Sequence, residues 1–217
     1  MIKAVIFDMD GLLINSEPFW QESETIVFNS LGVATGKELF ETLMGKRIDE
    51  VVDIMWNIQN WNSKTKPEVV EDIVTNVIRL VKEKGEALPG VHTILKTLKQ
   101  SSFKIGLAFS SKMKIIETVV DKLNIRQYFD IIHSAEFEKY GKPHPQVFIS
   151  TAKMLNVSPS ECLVFEDSLN GVISALAANM KCYAIPELSA FNLDKFIIAN
   201  KCLSSLEDFN YSDLDIL

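Results

Sequence analysis

At 217 residues, with 47% hydrophobic and 24% charged side chains, the chain has the makeup of an ordinary water-soluble globular protein. A net charge of -7 excludes a general nucleic-acid surface, and no apolar run approaches the roughly 20 residues that span a bilayer. Cys162, Cys182 and Cys202 are odd in number and lack CxxC spacing, so they read as reduced thiols rather than a disulfide frame or zinc site. With an N-terminus that lacks the layout of a secretory signal, the expectation is a cytoplasmic monomer without nucleic-acid or membrane partners.

The first element is an apolar run, Ile2 to Phe7, that ends in Asp8-Met9-Asp10-Gly11. The run has the composition of a buried strand, and the carboxyl edge of a parallel sheet is where open α/β folds hold their ligands. Residues two apart on an extended chain point the same way, so Asp8 and Asp10 can converge on one small space. Two acids there divide labour, one as nucleophile or metal ligand and one as proton donor or acceptor. The plain alternative is a polar turn closing a strand.

Ser16 to Gly32 reads as a helix, with Ser16 as N-cap candidate and Pro18 in its first turn. Helical spacing continues over Asp49 to Ile58 and Glu68 to Lys84, with Val69, Ile73, Val77, Leu80 and Val81 on one stripe. Strand-like segments are missing from 15 to 84. After Leu88-Pro89-Gly90 the pattern alternates. Val91 to Lys99 reads as helix, Lys104 to Phe109 as strand, Lys114 to Leu123 as helix, and Ile131 to His133 as strand. Pro145 to Leu155 (helix), Cys162 to Phe165 (strand), Ser168 to Asn179 (helix) and Cys182 to Ile185 (strand) follow. Alternation of this kind predicts an α/β fold, a Rossmann-like parallel sheet covered by helices on both faces. Its core is residues 1–14 and 85–217. The helices of 15–84 form an insertion rooted beside the acidic motif, placed either to close over it as a lid or to pack as a third layer.

Three later strand ends supply polar groups. Ser110-Ser111-Lys112 offers hydroxyls and backbone N–H groups at a strand-to-helix junction, suited to a phosphate oxygen or to a helix cap. Lys142 is fixed between Gly141 and Pro143, which makes it a positioned cation. Glu166-Asp167 places two adjacent acids at a strand end, costly unless they are solvated or hold a cation. Asp8, Asp10, Glu166 and Asp167 then share one sheet edge, facing Lys142. Hard carboxylate oxygens without a competing His/Cys set favour Mg²⁺. On this reading Asp8 attacks phosphorus and forms an aspartyl phosphate, which water hydrolyses. Asp10 protonates the leaving oxygen and then deprotonates that water, and Lys142 balances charge on the phosphoryl oxygens.

Four motifs in this order, Asp8-Met9-Asp10-Gly11, Phe109-Ser110-Ser111, Lys142-Pro143 and Glu166-Asp167 with Ser168-Leu169-Asn170-Gly171, resemble the haloacid dehalogenase superfamily over essentially the whole chain. The resemblance is to the β-phosphoglucomutase-like branch, in which a helical cap follows the first motif. It implies Asp8 as nucleophile, Asp10 as general acid/base, and Mg²⁺ held by Asp8, the Asp10 carbonyl and Asp167, with Glu166 nearby. Phe109 departs from the Ser or Thr of many relatives. Either the Ser110 hydroxyl, through a shifted turn, or its backbone N–H then binds phosphate, with Ser111 a further candidate. Trp20 stands where the mutases of the branch have a cap histidine, which favours hydrolysis over isomerisation. In the cap, Gly45-Lys46-Arg47 resembles a substrate-contacting segment, Arg47 reading either as a ligand to a hydroxyl or second anion or as a solvated charge. Trp20, Trp56 and Trp61 also fall there, as stacking faces or as core.

Segments from Asn15 to Trp20, Arg47 to Asp53, Trp61-Asn62 and Lys142 to Phe148 are similar to bacterial hexitol and 2-deoxyglucose-6-phosphate phosphatases. The implied substrate is a small phosphorylated sugar or sugar alcohol. A phosphosugar mutase, a phospho-acceptor signalling domain and a weakened regulatory pseudo-phosphatase are the competing readings. The signalling domain lacks the second acid and the cap.

Overall fold

The structure, a computed structural model, describes residues 1–36, 39, 42–43, 46–186 and 193–216. Six strands form one parallel sheet: β1 (Ala4–Phe7), β2 (Lys104–Phe109), β3 (Ile131–Ser134), β4 (Cys162–Glu166), β5 (Lys181–Ala184) and β6 (Lys201–Cys202). Their order is β3-β2-β1-β4-β5-β6. The helices are α1 (Glu17–Ser30), α2 (Ile48–Ile58), α3 (Lys66–Lys84), α4 (Val91–Lys99), α5 (Met113–Lys122), α6 (Gln146–Leu155) and α7 (Leu169–Ala177). A four-residue helix, α8 (Asp213–Ile216), and short 3₁₀ turns complete the described chain.

Every residue of β1 is buried, because a strand in the middle of a doubly covered sheet meets apolar neighbours above and below. The pleat sorts its side chains between two clusters. Val5 and Phe7 join Ile105, Leu107, Leu163 and Phe165 under α4 and α5. Ala4 and Ile6 join Ala108, Cys162, Val164 and Cys182 under α6 and α7. This is the α/β architecture expected from the alternating pattern. The two-residue, exposed β6 carries no apolar pattern and was not anticipated.

Between β1 and β2 the described residues contain helices and no strand, as expected. Helix α3 begins at Lys66, two residues earlier than the apolar stripe suggests, because Thr65 and Glu68 form a reciprocal capping box. Phe28, Val52, Met55, Trp61, Val69, Ile73 and Val77 bury their side chains in a cluster continuous with that on the α4 side of the sheet. Trp61 is buried, with its ring 4.8 Å from that of Trp56 and 6.2 Å from that of Phe28. The two ends of this helical stretch meet side by side, where Ile14 bridges Ala87 and the Leu88 N–H donates to the Leu13 carbonyl at 3.0 Å. Gly45, named in the sequence as part of a cap segment, lies outside the described residues.

Candidate active site

Asp8 follows the last residue of β1 directly, and its backbone N–H donates to the Phe165 carbonyl of β4 at 3.0 Å. The chain then reverses over Met9 to Ile14, with Gly11 in the left-handed region at φ 67°. A Cβ on Gly11 would stand 2.1 Å from Asp167 Oδ2, so only glycine lets the β1 loop lie against the β4 acids.

Lys142 reaches this edge from the loop before α6, and the peptide bond to Pro143 is cis. Its Nζ donates to Asp8 Oδ1 at 2.5 Å and to Glu166 Oε1 at 2.6 Å, and lies 4.7 Å from the centre of the Phe148 ring. Glu166 is fully buried and its second oxygen is satisfied too, accepting from the Ser168 N–H at 2.9 Å and the Ser168 hydroxyl at 3.0 Å. Ser168 in turn caps α7, its hydroxyl oxygen accepting from the Gly171 N–H. A Cβ at Gly171 would fall 1.7 Å from Glu166 Oε1, so this glycine leaves the volume that the carboxylate occupies.

Asp8, Glu166 and Asp167 can bring one oxygen each within 4.8 Å of the others. Burial pushes the Asp8 carboxyl up to about 8 against the pull of Lys142, with Glu166 adding to the rise. Asp167 is pushed up as well, by burial first and then by Glu166 and Asp8. Lys142 is held protonated, since its two acid partners outweigh the effect of burial. One lysine cannot balance three such acids. A divalent cation fits the excess charge, and the donor set of oxygens alone suits Mg²⁺. Among the described residues no protein donor reaches the Asp167 carboxylate, which leaves it open to such an ion.

The Asp10 side chain stands outside this group of three. Its Oδ1 accepts from the Ser16 hydroxyl and its Oδ2 from Trp20 Nε1 at 2.8 Å. Burial raises the Asp10 carboxyl to about 7, opposed by the hydrogen bonds from Ser16 and Trp20. Ser16 therefore occupies the N-cap position of α1 without capping it. The sequence offered no direct sign of these two contacts, because both depend on the turn that carries the start of α1 back over the end of β1.

Ser110 and Ser111 follow β2 at the same edge, one strand over from Asp8. Ser110 is half-buried and Ser111 buried, with the Ser111 carbonyl accepting from the Ser134 hydroxyl. Phe109 is packed in the apolar cluster with Phe7 and Leu107. Arg47 is not the solvated charge that one reading allowed. Its side chain is only 17% exposed, pairs with Asp49 and Glu50, and donates from Nη1 to the Glu138 carbonyl at 3.2 Å. It lies over Gly141, where a Cβ would come 2.9 Å from its Cδ. Arg47 thus ties the start of α2 to the loop that carries Lys142.

Glu24 escaped sequence reasoning altogether. It is buried on α1 one turn beyond Trp20, and burial, with Glu17 adding, pushes its carboxyl up to about 8. The native state keeps a proton that the unfolded chain releases above about 4.5, so this contribution to stability is full below 4.5 and is lost as pH rises towards 8. Glu24→Gln is expected to be more stable than the wild type at pH 8, by on the order of 2–4 kcal/mol, and to match it at pH 4.5. Thermal melts across that range test it, and parallel curves for the two proteins would refute it.

The family profile of haloacid dehalogenase-like hydrolases matches residues 5–185. Hexitol phosphatase B of Escherichia coli O157:H7 is 43% identical over 215 residues, 98% of this chain and 96% of that protein. A phosphorylated carbohydrates phosphatase of Thermotoga maritima is 32% identical over 83% of each chain. The crystal structure of a β-phosphoglucomutase from Clostridium difficile superimposes with a TM-score of 0.87 at 26% identity, over 100% of this chain and 96% of that one. With the acids of β1 and β4 and the lysine gathered at one sheet edge, this chain belongs to the haloacid dehalogenase-like hydrolase family.

Proposed function

We propose that the protein is a Mg²⁺-dependent phosphomonoester hydrolase acting on small sugar or sugar-alcohol phosphates. The observation that carries this reading is the bonding of Asp8. One carboxylate oxygen is fixed by Lys142, and among the described residues no protein donor takes the other. An anchored carboxylate with a free oxygen, buried beside a cation, is the arrangement that in-line attack on phosphorus requires. Asp8 Oδ2 forms the bond to phosphorus as the bond to the sugar oxygen breaks. Asp10 gives its proton to that oxygen, then takes one from the water that cleaves the aspartyl phosphate. Lys142 keeps Asp8 oriented and faces the charge on the phosphoryl oxygens. Asp8, the Asp10 carbonyl and Asp167, with Glu166 nearby, would hold Mg²⁺, which when bound would offset the surplus negative charge and polarise the phosphoryl group.

The substrate class rests on the full-length likeness to hexitol phosphatase B and on a second relative named for phosphorylated carbohydrates. Ser110 and Ser111 are placed to meet phosphate from the β2 side, with Phe109 withdrawn into the core. The helices of 15–84 serve as the cap that covers the substrate, and Arg47 anchors them to the Lys142 loop. Hydrolysis is favoured over isomerisation because the group facing Asp10 is an indole, which donates a hydrogen bond but can neither give nor accept a proton.

Phosphate release from a panel of sugar, sugar-alcohol, nucleotide and flavin phosphates, with Mg²⁺ and with chelator, is the direct test. Turnover concentrated on hexose or hexitol phosphates and lost with chelator is expected. Absence of release from every member, with the fold confirmed by circular dichroism, would overturn the reading.

A further inference from the structure

Asp10 lies in a loop beyond a strand end, where a carboxyl group turns about its last torsion with little preference. Here that freedom is removed. Ser16 holds one oxygen, and the Trp20 indole, ten residues along the chain, holds the other at 2.8 Å. Each oxygen keeps a second lone pair, so the carboxyl can still carry or accept a proton. The two donors differ in chemistry. A hydroxyl accepts as well as donates and can exchange a proton with a carboxyl group. An indole N–H only donates, so it orients Asp10 without competing for the proton.

We infer that Trp20 is a positioning residue whose indole N–H aims the Asp10 carboxyl at the departing oxygen, so that leaving-group protonation depends on it. The inference rests on the phosphatase reading, in which the phosphorus–oxygen bond breaks, its electron pair passes to the sugar oxygen, and the Asp10 proton neutralises that oxygen. An alkoxide needs this proton to leave, whereas p-nitrophenolate leaves as a stable anion.

The test is Trp20→Phe, which keeps an aromatic ring and removes the N–H, read as kcat/KM because that ratio ends with departure of the first product. A loss of roughly ten- to a hundredfold is expected on a hexitol phosphate, at least about tenfold larger than the loss on p-nitrophenyl phosphate. In an Asp10→Asn background the same substitution should cost the hexitol phosphate reaction nothing further. Equal losses on the two substrates, or a full additional loss in the Asp10→Asn background, would overturn the inference. The contact itself has a readout without turnover. Of the three tryptophan indole N–H signals in an ¹⁵N spectrum, the one absent from Trp20→Phe should move in Asp10→Asn while the other two stay. An unmoved signal overturns the inference even in an active enzyme. A wild type inert on both phosphates, with that signal responding, would instead overturn the phosphatase reading.

Discussion

Asp8→Asn is expected to abolish phosphate release, by at least about a thousandfold, while leaving the protein as stable as the wild type or more so. The two effects have one cause. Asp8 is 4% exposed, and its charge is opposed by burial and by Glu166. An amide of the same shape removes that opposition, and Lys142 keeps Glu166 as its partner at 2.6 Å. The carboxylate thus sits where it costs folding and serves attack on phosphorus, the pattern expected of a reactive group. Acid-quenched labelling should find phosphate on the wild-type protein and none on Asp8→Asn. Turnover in the variant above that threshold would remove Asp8 as the nucleophile. A variant that melts several degrees lower would show that Asp8 contributes to folding.

Lys142→Ala should damage both activity and stability. Its ammonium is the shared partner of two buried acids, so truncation leaves carboxylates facing one another without a cation. Removing one member of a buried ion pair costs about 3–5 kcal/mol, and the loss of charge balance at the phosphoryl group should lower kcat/KM by roughly a hundredfold or more. The stability loss has a pH signature. Burial pushes the Asp8 carboxyl up to about 8, so that group is neutral at low pH and ionises as pH rises, and the deficit should be largest near pH 8 and shrink towards pH 5. Urea melts at the two pH values check this. A deficit independent of pH would mean that the lysine supports the fold through its packing on Phe148 instead.

The parts of the molecule open to sequence reasoning share a physical origin. β1, β2 and β4 are buried on both faces, so they appear as unbroken apolar runs, and helices α3, α4 and α5 carry one apolar stripe each. Strand order then brings Asp8, Lys142, Glu166 and Asp167 together, which is why residues distant in sequence were foreseeable as neighbours. The contacts that could not be foreseen are set by turns and by space. Ser16 and Trp20 bond Asp10 because of the reversal at Gly11 to Ile14, whose path no periodicity encodes. Glu24 sits on the buried face of α1, where a polar residue contradicts the pattern by which buried faces are recognised. Gly171 acts by what it lacks, and Arg47 owes its burial to a loop 91 residues away.

Lys142 bonds a carboxylate 134 residues earlier and another 24 residues later, so synthesis on the ribosome completes the site late. Asp8 emerges long before its cation at residue 142 and the acids at 166 and 167. Until then β1, whose partners are β2 on one side and β4 on the other, has one apolar edge without a mate. A nascent chain held at that stage would expose the central strand of the finished sheet, making it the point at which folding factors have most to protect.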